Sequence, residues 1–314
     1  MTNAMPKVTV AMATYNGATH LREQLASIYA QTHPSLDVLV CDDGSTDGTL
    51  ELLEEYAAQG RLTLHRGGQK LGPALNFGRA MALAETEYVA LCDQDDIWDR
   101  DKIERCLRQM RSVEEAVGKQ TPVLVYTDAR TIDASGRETC SSLYKHLRRD
   151  PTQNGFSRLL AGNIVWGCTT FMNRALVDAA LPVPACAPMH DSWLAIVAGA
   201  LGVVSYLAEP TLKYRQHSTN VFGATRPSTK RKLVKALRSG LKSEEYRQRT
   251  IARRAQTVEL LERFGNKLNA EKRALVQSYI DLMELGFWSR RRTILAKHFL
   301  RHSLMDNLEL LVRI

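Results

Sequence analysis

Residues 88–98 read Tyr-Val-Ala-Leu-Cys-Asp-Gln-Asp-Asp-Ile-Trp. A short apolar run that ends abruptly in polar residues has the pattern of a strand buried on both faces. Asp93, Asp95 and Asp96 crowd at its end, where carboxylates repel one another unless a cation neutralises them. Hard oxygen donors with room left for phosphate oxygens suit Mg²⁺ or Mn²⁺. The competing explanation is a solvated acidic turn or a helix N-cap, a role open to Asp96 and Asp99.

Working outward, the same pattern recurs toward the N-terminus. Lys7–Ala13, Asp37–Cys41 and Leu62–His65 are expected strands. They alternate with helical spacing over Thr19–Gln31, Thr46–Gln59 and Leu71–Glu85. A β-α-β-α-β-α-β series implies a mostly parallel sheet with helices on both faces, and such sheets bind ligands beyond the carboxyl ends of their strands. The polar clusters fall there: Thr14-Tyr15-Asn16, Asp42-Asp43-Gly44-Ser45 and the aspartates after Cys92. Helix capping and turn chemistry account for Ser45, Thr46 and Gly48, but not for two successive aspartates at a strand's mouth. Neither G-x-x-x-x-G-K-S/T nor G-x-G-x-x-G opening the first helix is present, so P-loop and dinucleotide signatures are absent.

Toward the C-terminus the pattern loosens. Val123–Thr127 is an expected strand, Asp128–Tyr144 a polar hairpin or loop, His190–Gly199 the start of a helix, and Val203–Leu207 and Thr211–Arg215 two further strands. The chain of 314 residues is 44% hydrophobic and 24% charged, which excludes disorder and fibrous repeats. The longest weakly polar run, Leu194–Ala208, is too short to span a bilayer, and Met1–Lys7 lacks a signal-peptide pattern. A cytoplasmic protein with reduced cysteines is expected, because the six cysteines include no C-x-x-C pair. Charge divides the chain. Residues 226–314 carry a net +12 and residues 1–225 a net −4, so two regions are expected, a catalytic domain over 1–225 and a basic helical region over 226–314.

ATYNG, DDGSTDGT, LGPALNFGRA, ALCDQDDIW, MHDSW and YRQHSTN, in this order between Val8 and Gly223, resemble the family 2 glycosyltransferases. The resemblance implies a GT-A fold, a Rossmann-like α/β domain that binds nucleotide sugars, and inversion at the anomeric carbon. DQDDIW with YRQH further resembles the rhamnosyltransferases of bacterial surface polysaccharides. By that resemblance Thr14, Tyr15 and Asn16 form the first nucleotide-contacting loop, and Asp42, with Asp43 and Gly44 beside it, reads the base. Asn76 lines the nucleotide pocket, with Arg79 one helical turn on. Asp93 faces the ribose and the metal shell, Asp95 holds the Mg²⁺ or Mn²⁺ against the diphosphate, and His217 reaches back toward the metal. Asp191 corresponds to the catalytic base. Where relatives usually read Gly-Asn-Asn after the histidine, this chain has Ser218-Thr219-Asn220.

The chemistry is consistent with those roles. A departing nucleoside diphosphate gains negative charge that a divalent cation stabilises. An acceptor hydroxyl needs a base as the new bond forms. One candidate base, Asp191, fits direct displacement, since a retaining double displacement requires a second, nucleophilic carboxylate. The alternative for Asp191 is an N-cap on the helix over 192–200. Trp98 and Trp193 are candidates to stack on acceptor sugars, with core packing as the alternative, and His190 is a structural or acceptor-positioning group. The expected donor is dTDP-L-rhamnose and the expected acceptor a lipid-linked surface glycan. A UDP-hexose or UDP-N-acetylhexosamine donor is the first alternative, and a nucleotidyltransferase the different-class one. The latter usually carries a Gly/Arg/Lys-rich first loop, which ATYNGATH is not.

The tail contains KRKLVKALRSGLK (230–242) and FWSRRRTILAKHFLRH (287–302). Basic residues interleaved with apolar ones suggest helices on an anionic membrane surface, at the inner face of the cytoplasmic membrane. The equal alternative is a basic cap on the catalytic domain or on a second copy in a homo-oligomer. Nucleic acid is disfavoured, since no binding motif accompanies the charge.

Overall fold

The computed structural model describes residues 5–217 and 244–313. The stretches 218–220 and 230–242 singled out above lie outside the described residues.

Four strands form the parallel half of the sheet: β1 (Val8–Thr14), β2 (Leu36–Asp42), β3 (Thr63–Arg66) and β4 (Tyr88–Cys92). Helices α1 (Ala18–Tyr29), α2 (Thr49–Ala58) and α3 (Pro73–Leu83) connect them. The alternation expected from the sequence is present, with each helix one to three residues shorter at one or both ends. Next come β5 (Ile97–Trp98), α4 (Lys102–Val117), β6 (Val123–Ile132), β7 (Glu138–Cys140), α5 (Leu143–Leu147) and α6 (Phe156–Ala161). A 3₁₀ turn at Gly167–Thr169 leads into β8 (Thr170–Asn173), α7 (Arg174–Ala180), α8 (His190–Leu201) and β9 (Val203–Arg215).

The nine-stranded sheet runs β3-β2-β1-β4-β8-β6-β9-β5, with β7 paired to β6. It is parallel from β3 to β4 and mixed beyond: β8 lies antiparallel between β4 and β6, while β9 is parallel to β6. The two strands expected over 203–215 are one. Pro210 faces Asp128 where the β6–β9 register shifts, because proline cannot donate to the ladder, and the strand continues through the irregularity. The expected hairpin after Asp128 is β6–β7. Its turn is held by Asp133, whose carboxylate accepts from the Ser135 and Arg137 amides at 3.0 and 3.1 Å.

Each face of the sheet carries its own core. Leu21, Leu25, Leu53, Ile103 and Met110 of α1, α2 and α4 cover one. Phe77, Leu159, Leu176, Trp193 and Ile196 of α3 and α6–α8 cover the other. The C-terminal helices α9 (Glu244–Phe264), α10 (Ala270–Asp281), α11 (Phe287–Ala296) and α12 (Leu304–Arg313) extend this second core. Leu260, Phe264, Val276, Ile294, Phe299 and Leu310 are buried in the same cluster as Trp193 and Ile196. The basic region is therefore continuous with the second core.

Candidate active site

A cavity of about 960 Å³ opens at the carboxyl ends of β1 and β4, within the size range of small-molecule sites. Its walls come from the loops after β1, β2, β3 and β4, the start of α3, residues 163–168, the start of α8 and one face of α9.

Thr14, Tyr15 and Asn16 line one end. Asn16 turns the chain at φ +49°, a left-handed conformation that asparagine tolerates better than most residues. Its Oδ1 accepts from the Thr46 amide and its own amide donates to Ser45 Oγ, both at 2.8 Å, which ties the first loop to the second. Gln94 clamps the neighbouring peptide: its Oε1 accepts from the Tyr15 amide at 2.8 Å and its Nε2 donates to the Tyr15 carbonyl at 3.0 Å. Gly17 allows this approach, since a Cβ there would fall 2.3 Å from Gln94 Cδ. The Tyr15 ring is 41% exposed, with the Lys70 ammonium 3.7 Å from its centroid.

The two aspartates after β2 have separate roles. The Asp42 carboxylate is consumed locally, accepting from the Gly44 and Ser45 amides and from the hydroxyls of Thr14 (2.7 Å) and Ser45 (2.6 Å). It does not line the cavity, and neither does Gly44. Asp43 does, and its two oxygens accept from the Leu71 and Gly72 amides at 2.8 Å. Of the two aspartates, Asp43 faces the cavity where Asp42 was expected, because Asp42 organises the turn that presents it. Asn76 lines the cavity, while Arg79 sits behind it, donating to the Asp42 carbonyl (2.8 Å) and to Asn76 Oδ1 (2.7 Å) as a brace.

The DQDD loop is tethered between β4 and the two-residue β5, and Arg215 pins it from behind. The Arg215 amide donates to Asp96 Oδ1 at 3.0 Å and its Nε to the Asp95 carbonyl at 2.9 Å. Asp93, Asp95 and His217 line the cavity, with His217 Nε2 2.8 Å from Asp95 Oδ2. Burial and the charges of Asp95 and Asp191 push the Asp93 carboxyl up to about 7. Asp93, Asp96 and Cys168 also converge, their donor atoms within 4.8 Å of one another. Asp96 does not line the cavity and its Oδ1 already accepts from the Arg215 amide, while the Cys168 thiol is a soft donor poorly matched to a hard cation. Asp93, Asp95 and His217 fit better. Asp93 and Asp95 repel each other until a positive charge separates them, and His217 adds a third donor beside Asp95.

Across the cavity, α8 begins at His190 and is capped by Met189, not by Asp191. The Asp191 carboxylate lines the cavity, accepts from the Gly167 amide at 3.2 Å, and is raised to about 7 by burial. His190 packs against Phe77, the rings tilted with centroids 4.0 Å apart, and burial lowers its pKa to about 3, so it stays neutral. Among the described residues neither of its ring nitrogens has a hydrogen-bond partner. Trp98 and Trp193 are not acceptor-facing. Trp98 is buried under Lys102 and Trp193 donates to the Ala180 carbonyl at 2.7 Å, both inside the cores because their strand and helix turn them inward. The tryptophan on the cavity wall is Trp166, 5.8 Å from the Tyr214 ring.

Comparison with known proteins agrees with this geometry. The sequence model of "Glycosyl transferase family 2" matches residues 9–179, from β1 through α7. The chain belongs to that family. RfbG of Shigella flexneri, a dTDP-rhamnosyl transferase, is 28% identical over 304 residues, spanning 90% of this chain and 94% of RfbG. Staphylococcus aureus TarS residues 1–349, solved in complex with UDP-GlcNAc, superposes with a TM-score of 0.60 at 18% identity, covering 92% of this chain and 79% of that one. The mannosyltransferase PcManGT from Pyrobaculum calidifontis, in complex with GDP-Man and Mn²⁺, gives 0.50 at 19% identity, covering 95% and 85%. These likenesses establish the GT-A fold.

In this glycosyltransferase, several cavity residues carry no sequence motif of their own. Gln94 is legible only as the x of D-x-D-D. Lys70, Arg149, Trp166, Arg249 and Arg253 reach the cavity through loop and helix placement. Helix α9 is joined to the start of α8 by Gln256, whose Nε2 donates at 3.1 Å to Ser192, the residue after Asp191.

Proposed function

We propose that this transferase is an inverting, divalent-cation-dependent enzyme that moves L-rhamnose from dTDP-L-rhamnose onto a hydroxyl of a lipid-linked bacterial surface glycan. The observation that carries the reaction class is the pairing, in one cavity, of the Asp93/Asp95/His217 donor set with a further carboxylate, Asp191, on another wall.

Thr14, Tyr15, Asn16, Asp43 and Asn76 hold the nucleotide. Asp93, Asp95 and His217 are the residues that would hold Mg²⁺ or Mn²⁺, which supplies positive charge to the departing diphosphate. Asp191 takes the proton of the acceptor hydroxyl as it attacks the anomeric carbon, and its raised pKa suits a base operating near neutrality. Asp43 is occupied by two amides and Asp95 faces His217. Asp191 is therefore the carboxylate assigned to the acceptor, which favours a single displacement with inversion.

Similarity to RfbG along nearly the whole chain supports the rhamnose donor. The resemblance to TarS, solved with UDP-GlcNAc, favours a UDP-N-acetylhexosamine as the second reading. No helix among the described residues is long and apolar enough to cross a membrane. A peripheral position at the inner membrane face is part of the proposal. A thermal-shift panel of dTDP-L-rhamnose, UDP-GlcNAc, UDP-glucose and GDP-mannose, with and without Mn²⁺, tests it, because a tight ligand raises apparent stability. The largest Mn²⁺-dependent shift should come from dTDP-L-rhamnose and vanish in Asp95→Ala. A larger shift with UDP-GlcNAc selects the second donor, and equal shifts with and without Mn²⁺ overturn the metal assignment.

A further inference from the structure

The wall next to Asp191 carries positive charge that the donor chemistry does not use. Arg249 and Arg253 lie one turn apart on α9, Gln256 follows on the same face, and Arg149 joins them at the cavity. Arg149 is 3.7 Å from Asp306. Arg253 is half-buried and, among the described residues, its guanidinium makes no ion pair or hydrogen bond. The groups facing it are Arg249, Arg301, Tyr246 and Tyr279, and burial together with the two arginines holds its pKa below the ordinary guanidinium value. Residues 218–243, which precede α9 in the chain, contain seven Lys/Arg and no Asp or Glu. An uncompensated arginine in a partly desolvated wall destabilises the protein unless an anion completes it.

Gln256 fixes where that anion would lie. It contacts Ser192, beside the base, and Arg253 is one helical turn from Gln256. The arginines therefore flank the acceptor's approach to Asp191, while the donor diphosphate belongs to the Asp93 and Asp95 wall. Phosphate oxygens match guanidinium forks in geometry as well as charge. We propose that Arg149, Arg249 and Arg253 form an anion subsite that binds a phosphate group carried by the acceptor. The subsite deepens the proposed function and rests on Asp191 marking the acceptor side. Two sources share this chemistry, the diphosphate of a polyprenyl carrier and a phosphodiester within a glycan chain.

The test uses the full chain saturated with Mn²⁺ and the nucleoside diphosphate that binds it best, at low salt. Geranyl diphosphate, bis(glycero)phosphate and neutral geraniol are titrated calorimetrically. One of the phosphate probes should bind with the nucleotide still in place, and geraniol should not. Arg253→Gln should weaken that binding about tenfold or more, as expected for losing a charge-assisted contact, with Arg253→Lys intermediate and nucleotide affinity unchanged. Arg249→Gln repeats the measurement should Arg253→Gln fail to fold. Preference for geranyl diphosphate identifies a lipid carrier and preference for the diester a phosphodiester-linked glycan. Binding that is absent, displaced by nucleotide, or equal in wild type and both glutamine variants overturns the subsite. That failure stays distinct from failure of the proposed function, which is read from Asp191 turnover without the probes.

Discussion

Asp191 carries the most testable chemistry. Its carboxyl is raised from an ordinary 3.8 to about 7 because burial disfavours the ionised form. As the proposed base it must be ionised, so kcat/KM should fall as pH drops through about 7. Asp191→Asn should lower turnover by roughly 10²–10⁴ while leaving nucleotide affinity intact. Weakened nucleotide binding with turnover retained would show that the base is misassigned. The same shift has a stability consequence of opposite sense. Between about pH 4 and 7 the folded protein retains a proton that the unfolded chain has released. Stability attributable to this group is therefore present at low pH and lost as pH rises through that window. In metal-free protein at pH 8, Asp191→Asn should melt higher than wild type, and a lower melting temperature would contradict a costly buried charge.

Helices and strands aim these side chains through a few tight junctions, and the turn from α8 to β9 is the tightest. Gly202 closes α8 with its amide on the Ala198 carbonyl at 2.9 Å, and Val203 then donates to the Pro122 carbonyl at 2.9 Å. A Cβ at Gly202 would stand 1.9 Å from that same Pro122 oxygen, a backbone atom already held by the Val203 amide. Gly202→Ala should therefore cost about 3 kcal/mol, the upper end for overpacking, measurable by chemical denaturation. Because α8 carries Asp191 and β9 carries the Arg215 pin, turnover should fall with it. A variant within about 0.5 kcal/mol of wild type would mean that the junction opens without penalty.

Over the whole molecule, the C-terminal helices supply a wall of the cavity and a share of one core, so removing residues beyond Arg226 would strip Leu260, Phe264 and Ile280 from their partners. The proposed membrane contact is better tested by point changes. On α11, Phe287, Trp288 and Leu295 are exposed, Trp288 by 79%, with Arg291 3.3 Å from the Phe287 ring. An amphipathic aromatic edge beside basic side chains suits an anionic interface, where each engaged Lys or Arg contributes about 1 kcal/mol. The protein should co-sediment with anionic vesicles at low salt and be released near 1 M salt, where screening shortens to about 3 Å. Phe287→Ser with Trp288→Ser should reduce that binding without altering nucleotide affinity. Equal sedimentation with neutral and anionic vesicles would leave α11 as a surface for a second copy of the chain.

The alternation of apolar strand and amphipathic helix from Val8 to Cys92 was legible because local periodicity and burial on both faces coincide there, and the polar residues ending each strand marked the cleft. Asp93 and Asp95 were legible as an acidic cluster at a strand's end, whereas Asp191 and His217 were named through the resemblance of MHDSW and YRQH to the family 2 glycosyltransferases. Which of Asp42 and Asp43 faces the cavity was not legible, since the choice depends on hydrogen bonds from Thr14 and Ser45 that close only when β1 and β2 lie side by side. The tryptophans show the same limit. Trp98, Trp166 and Trp193 look alike as sequence, and only the direction in which each element turns its side chain sends Trp166 to the cavity and the other two to the cores. The arginines of α9 lie more than fifty residues beyond Asp191 along the chain. They reach its neighbourhood because burying the apolar face of that helix against α8 lowers the free energy, a long-range packing outcome that no local pattern encodes.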